Sequence, residues 1–376
     1  MNRNGVWSEA VRVRDDDVES LTIEASAFGH CFRLCYGERM IGEGVNGRTM
    51  QGDGSRTAGS AAFSLPILDT AAEPLAVTEL SFVGRLAHLD HGLRYLGPTL
   101  RGAFGFAFKD LVCQSDDGDC GRCPLSPACP FTTIFEGRAI DGRAILRKYP
   151  FVPQPFVLRV AAPGSWLGEP DEIRFSVRLF GGAGRWTPEV ISAVQAMGRA
   201  GLGPGRVRCE LIEVADRRGL IWTPREDQFL PPAAESAITR EGPRDGRLRI
   251  RFHTPVHLDD ETASGRRPLS PLEVILAGRR RWFLLTSLYG TPRPAEEKGE
   301  RVESDEFRVV ADDLQAWRID RYSGRQKRTM PLWGVVGSML VEGPWSKAGE
   351  WIRAIESVHL GKHVTFGFGR LSWEQA

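Results

Sequence analysis

Residues 97–136 read GPTLRGAFGFAFKDLVCQSDDGDCGRCPLSPACPFTTIFE, and this stretch carries four thiols, Cys113, Cys120, Cys123 and Cys129. As thiolates, four cysteines can close a tetrahedral zinc site with sulfurs about 2.3 Å from the metal. Cys120 and Cys123 form a CxxC knuckle whose turn Gly121 relieves, and Pro124, Pro127 and Pro130 stiffen the rest. Two other readings exist, a redox CxxC pair and an incidental cysteine-rich loop; a redox pair needs two cysteines rather than four. The expectation is a structural zinc, because four sulfurs leave no coordination position for water or substrate.

Composition bounds the elements that must hold such a loop. With 376 residues, 41% of them apolar, the chain can bury a large core, and two domains are expected. No apolar run is long enough to span a bilayer, and MNRNGVWSEAVRVRDDD does not read as a signal peptide. A cytoplasmic, reducing compartment is therefore expected, which favours zinc over disulfides. The net charge is only +1, so the chain is not a bulk polycation. All but six of the 49 basic residues are arginine, the better bidentate phosphate ligand.

Residues 1–75 read as a polar, partly flexible N-terminal extension with a short strand or hairpin near 21–36. His30, Cys31 and Cys35 there read as buried small side chains rather than as ligands. From residue 78 a weak duplication emerges. Val190, Ile191, Val194 and Met197 repeat the spacing of Trp351, Ile352, Ile355 and Val358, one apolar helical stripe each time. Each helix runs into a glycine loop and then a strand. A dinucleotide fingerprint needs strand, glycines, then helix, so these loops are not that. They are expected to let the backbone approach another chain or an RNA phosphate, with Gly201 and Gly361 as helix C-caps.

Strand patterns supply the other half of the reading. In 247–258, Leu248, Ile250, Phe252, Thr254, Val256 and Leu258 alternate with Arg247, Arg249, Arg251, His253 and His257. In 172–179, Ile173, Phe175, Val177 and Leu179 alternate with Arg174 and Arg178. Sheets covered by helices on one face only would leave rows of arginine about 6.6 Å apart on the open face, a surface suited to nucleic acid. The fold expected is α+β: two tandem ferredoxin-like (βαββαβ) domains, at 78–214 and 246–376, joined by a linker at 215–245. The four-cysteine zinc loop, 113–129, is inserted in the first.

With this layout the chain resembles the RAMP superfamily of CRISPR-associated RNA-binding proteins, and in detail its precursor-crRNA processing endoribonucleases. The resemblance rests on GPTLRGAFG with its cysteine cluster and Phe135–Glu136, on GLGPGRVRCELIEV and FHTPVHL, and on Trp317, Arg318, Arg321, Tyr322, Ser323, Arg325 and Gln326. It ends with His359, Gly361, Lys362, Gly367, Gly369 and Arg370, and covers roughly 78–374 in order. It implies cleavage of CRISPR repeat RNA, without a catalytic metal, by attack of the RNA's own 2′-hydroxyl. Such chemistry needs a base, an acid and cations for the phosphorane. Family members place these groups around the first strand–helix junction. The resemblance therefore implies His91 as acid/base, with His88 beside it, Tyr95 as orienting partner, and Lys109 or Arg101 for charge.

For RNA binding the same reading names Arg101, Arg249, Arg251, His257, Arg321, Arg325, Lys327, Arg328, Lys362, Gly367 and Gly369. His253 and His257 are the runner-up catalytic pair, and His359 is expected to brace the glycine loop by a hydrogen bond. The partners implied are precursor crRNA and other CRISPR effector subunits, with no membrane. Two alternatives share most of these motifs: a catalytically silent RAMP subunit holding crRNA, and a zinc-stabilised nucleic-acid-binding regulator.

Overall fold

The computed structural model describes residues 20–23, 32–35, 41–42, 74–88, 95–115, 118–136, 152–161, 171–225, 229–238, 241–290, 302–323, 328–349 and 351–376. The chain divides into two units, 1–67 and 68–376. In the first, β1 (Ser20–Ile23), β2 (Phe32–Cys35) and β3 (Ile41–Gly42) form a small antiparallel sheet. That agrees with the hairpin expected near 21–36; His30 and Cys31 lie outside the described residues.

The second unit contains two antiparallel sheets. Its first half runs β4 (Ala76–Leu86), α1 (Leu96–Val112), β5 (Phe156–Arg159), β6 (Glu172–Phe180), α2 (Thr187–Ala200) and β7 (Cys209–Asp216). The strands lie in the order β5-β6-β4-β7. Its second half runs β10 (Gly246–Val256), the short α3 (Asp260–Ala263), α4 (Pro271–Tyr289), β11 (Arg308–Asp312), β12 (Gln315–Ser323), β13 (Arg328–Gly343), α5 (Trp351–Val358) and β14 (Leu371–Gln375). There the order is β11-β13-β10-β14, with β12 hairpin-paired to β13. In the first sheet β4 sits between β6 and β7, and in the second β10 sits between β13 and β14; with the β12 hairpin set aside, this is the arrangement that a β-α-β-β-α-β order produces.

The reasons are local. The stripe Val190, Ile191, Val194 and Met197 is buried, as is Trp351, Ile352, Ile355 and Val358, so each repeated helix packs its apolar face on its own sheet. Ser270 and Glu273 form a capping box at the start of α4, with Pro271 at its first position, and they set that boundary where the sequence places it. In β10, Leu248, Ile250 and Phe252 are buried while Arg247 and Arg251 are exposed, as period-two alternation requires.

Two expectations are corrected. Residues 215–245 do more than link: β8 (Gly219–Trp222) pairs with β7, and β9 (Ala234–Ser236) pairs with β4. The last strand begins only at Leu371, after a 3-10 turn, Val364–Phe366, that prolongs the glycine loop. Most consequentially, the arginine face of the first sheet is open only at Arg174 and is covered at Arg178. Arg178 is only 8% exposed; it donates through Nε to Glu79 Oε2 (2.9 Å) and through Nη1 to the carbonyl oxygen of Glu356 in α5 (2.9 Å). Arg159 meets the same carboxylate at 3.0 Å. Val77, Val157 and Phe180 share a core with second-half residues including Trp351 and Ile355. The second half thus covers the face that a lone sheet would have shown to solvent.

Candidate functional site

The seam between the halves is where reactive side chains gather. Tyr95, at the N-cap of α1, is 4% exposed and packs edge-on against Trp317 of β12 (5.2 Å between centroids) and Phe368 of the C-terminal loop (5.9 Å). Burial drives its hydroxyl above the usual phenol range, a tendency that the neighbouring Thr254 opposes. Gly367 has φ 82°, and a β-carbon there would lie 2.6 Å from Val160 and 3.0 Å from the Tyr95 hydroxyl. Gly369, at φ 73°, would meet the Leu360 carbonyl at 2.0 Å. The close approach that glycine permits at both positions is to the protein's own backbone and side chains.

On the open side of this loop lie two histidines in T-shaped contact, His257 and His363, with centroids 5.2 Å apart. The Nδ1 of His257 hydrogen-bonds with the Trp333 carbonyl (2.9 Å), and its Nε2 with the exposed Asp260 carboxylate (3.0 Å). His363 has left-handed backbone, φ 62°, and its ring stacks on Phe366 (5.8 Å) and meets Phe368 edge-on (5.7 Å). Burial pushes its pKa down to about 4, and the neighbouring His257, Arg321 and Lys362 add to the effect. Arg321 lies over the Phe366 ring at 4.5 Å, and Lys362 Nζ stands 3.9 Å from Asp260.

Arg101 approaches the same region from α1. Its guanidinium sits over Phe135 at 4.5 Å and Phe156 at 5.7 Å. Phe135 belongs to a π-helical turn, Thr132–Glu136, locked into an aromatic cluster with Phe104, Phe108 and Phe131. Burial and the charge of Arg321 depress Arg101 to about 10, against the opposing pull of Glu136. The Nε atoms of Arg101 and Arg321 are both buried with no hydrogen-bond partner among the described residues. Two guanidiniums held close without full neutralisation form a receptor for an anion.

Other expected residues are dispersed. Lys109 donates to the Gly118 carbonyl (2.7 Å) and lies 5.3 Å from the Phe131 ring, so it tethers the cysteine loop. It stands fourteen residues beyond Tyr95, about 21 Å along the helix, and the structure does not bring the two together. His88 is exposed just past the end of β4. His91, Arg325 and Lys327 lie outside the described residues. Arg249 and Arg251 keep the outer face of β10, Arg249 with Glu374 at 3.5 Å across the strand pair, and Arg328 is exposed at the start of β13. The expected runner-up pair is not formed as such: His257 faces His363, and His253 bonds Ser372 instead (2.7 Å). His359 is fully buried with Nδ1 bonded to the Phe368 carbonyl (3.0 Å), the bracing role expected of it.

Cys113, Cys120, Cys123 and Cys129 line one small pocket together with Phe131 and Thr132, and all four are free thiols. Among the described residues no set of three or more His, Cys, Asp or Glu is drawn to metal-holding distance. In kind the donors fit zinc, since four cysteines line one pocket; burial raises the Cys120 thiol, which works against the thiolate form, while Lys109 opposes that shift.

Residues 250–371 match the model of the CRISPR-associated endoribonuclease Cas6, and residues 78–234 match a family model described as an N-terminal domain. The second half of the chain therefore carries a stretch similar to the CRISPR-associated endoribonuclease Cas6. No curated protein matches it in sequence. Similar solved structures include a Cas6 product complex, with 15% identity over 79% of this chain and 99% of that one and a TM-score of 0.46. Thermus thermophilus Cas6 is 14% identical over 80% of this chain and 99% of that one, with a TM-score of 0.43. The product of a Cas6-related gene from Pyrococcus furiosus is 10% identical over 80% and 99%, with a TM-score of 0.38. Among the described residues no helix is long and apolar enough to cross a membrane.

Proposed function

We propose that this protein is an endoribonuclease that binds CRISPR repeat RNA and cuts precursor crRNA by metal-independent transesterification, leaving a 2′,3′-cyclic phosphate and a 5′-hydroxyl. The observation that carries this reading is the seam itself, where Arg101 and Arg321 present buried, unpartnered Nε atoms beside the His257–His363 pair. Guanidiniums suit the charge of a phosphorane, and histidine suits proton transfer. His88 and His91 precede Tyr95 in the sequence, and His91 enters the reading as an acid/base group from the family resemblance. Arg249, Arg251, Arg328 and Lys362 extend the basic surface toward the repeat, and Arg325 and Lys327 join them in the reading from the sequence alone.

A structural zinc on Cys113, Cys120, Cys123 and Cys129 belongs to the same reading; it would cross-link the loop after α1 and supply no reactive position. Partners from the same CRISPR system, precursor crRNA first, follow from the reading. The test is incubation with CRISPR repeat RNA in excess EDTA, with analysis of product ends. A single cut with a cyclic phosphate is the expected result. Tight binding without a cut would instead indicate a subunit that holds crRNA.

A further inference from the structure

We infer that His363 is the general base of the cleavage reaction, taking the proton of the attacking 2′-hydroxyl while Arg321 and Arg101 hold the scissile phosphate. The inference rests on the endoribonuclease reading above and adds the residue that does the chemistry.

The described histidines differ in what their rings can still do. His257 has both nitrogens engaged, His359 is sealed in the core, and His253 is bonded to Ser372. His363 remains partly accessible, and its ring nitrogens make no hydrogen bond to another described residue. Its ring is nonetheless fixed in orientation by Phe366, Phe368 and the edge of His257. It also sits in left-handed backbone, φ 62°, a conformation that a residue with a β-carbon adopts at a cost and that tends to be retained at functional positions.

The electrostatic setting suits a base. His257 and Asp260 from the β10–α3 turn, Arg321 from β12 and Lys362 from the loop itself face His363; Arg321 also acts on Arg101 of α1. Cations outnumber the single carboxylate, so the imidazole is neutral at physiological pH with a lone pair to offer, the form a base requires. Arg321 shares Phe366 with His363, so a phosphate on the guanidinium would sit beside the ring.

The step balances as follows. His363 accepts the 2′-hydroxyl proton, the 2′-oxygen bonds to phosphorus, and the bond from phosphorus to the 5′-oxygen breaks with its electron pair. The departing oxygen takes a proton from water at the open side, where Asp260 and Lys362 are exposed, and the resulting hydroxide recovers the proton from the His363 imidazolium.

The experiment uses the full chain and a labelled RNA of the CRISPR repeat from the source genome. Cleavage is measured for the wild type, His363→Gly and His363→Asn; glycine and asparagine both tolerate left-handed backbone. Binding is measured on the same RNA with a 2′-deoxy nucleotide at the cut. Both variants are expected to bind as tightly as the wild type and to cleave about 100-fold more slowly or worse. Added imidazole is expected to restore cleavage to His363→Gly, which a purely structural role would not allow. Wild-type rates in either variant would overturn the assignment and leave the endoribonuclease reading intact; so would a loss that follows weakened binding and resists imidazole. Failure of the wild type to cut would remove that reading and the assignment with it.

Discussion

Replacing Arg321 by glutamine tests the seam as a phosphate receptor. Arg321 has a buried, unpartnered Nε and lies over Phe366, while its charge acts on Arg101 and His363. Glutamine keeps much of the side-chain length and removes the charge. On single-stranded nucleic acid each phosphate contact contributes about 0.7 to the slope of log affinity against log salt, so Arg101, Arg321 and Lys362 together account for a slope of about 2. Arg321→Gln should flatten the total slope by about 0.7, and the two proteins should converge by about 2.5-fold between roughly 50 and 200 mM salt. The assay is fluorescence anisotropy with repeat RNA carrying a 2′-deoxy nucleotide at the cut, titrated across that range. Parallel lines for wild type and variant, with affinity uniformly lower, would refute the reasoning; Arg321 would then act through packing on Phe366 alone.

Two further predictions concern what holds the site together. Glu79→Gln leaves buried Arg178 and half-buried Arg159 without their shared carboxylate and should cost about 3 kcal/mol in urea unfolding at neutral pH. Burial alone would raise the Glu79 carboxyl, but Arg178 and Arg159 outweigh it and hold the group below its ordinary 4.5. A depressed folded-state value means that this stability is fully present above pH 4.5 and is lost as pH falls through the folded value; the difference between wild type and variant should therefore shrink under acid. Equal urea midpoints at neutral pH would count against the network. Cys120→Ser should remove the bound zinc that metal analysis is expected to find at one per wild-type chain; an unchanged zinc content would dissociate Cys113, Cys120, Cys123 and Cys129 from the metal.

Much of the architecture is legible in the order of the residues. The buried stripes of α2 and α5, the capping box of α4 and the alternation in β10 each express a period set by local backbone geometry, so residue order alone determined them. The cysteine cluster is visible for the same reason, since its members are neighbours in the chain. The active seam is not. His257 and His363 are more than a hundred residues apart, as are Arg101 and Arg321, and no spacing rule announces such a meeting.

The same limit explains the misplaced arginine face. Alternation in 172–179 correctly says that Arg178 lies opposite Val177 and Leu179, but it is silent about what covers that side. Glu79 and the Glu356 carbonyl cover it, contributed by a neighbouring strand and by a helix of the other half. Lys109 shows the converse: helical spacing puts it on α1, and only the packed loop decides that its ammonium serves Gly118. Sequence determined which faces exist, because that is a property of one element's periodicity. Tertiary structure decided which faces meet, because a buried charge takes whatever partner the packing of distant elements supplies.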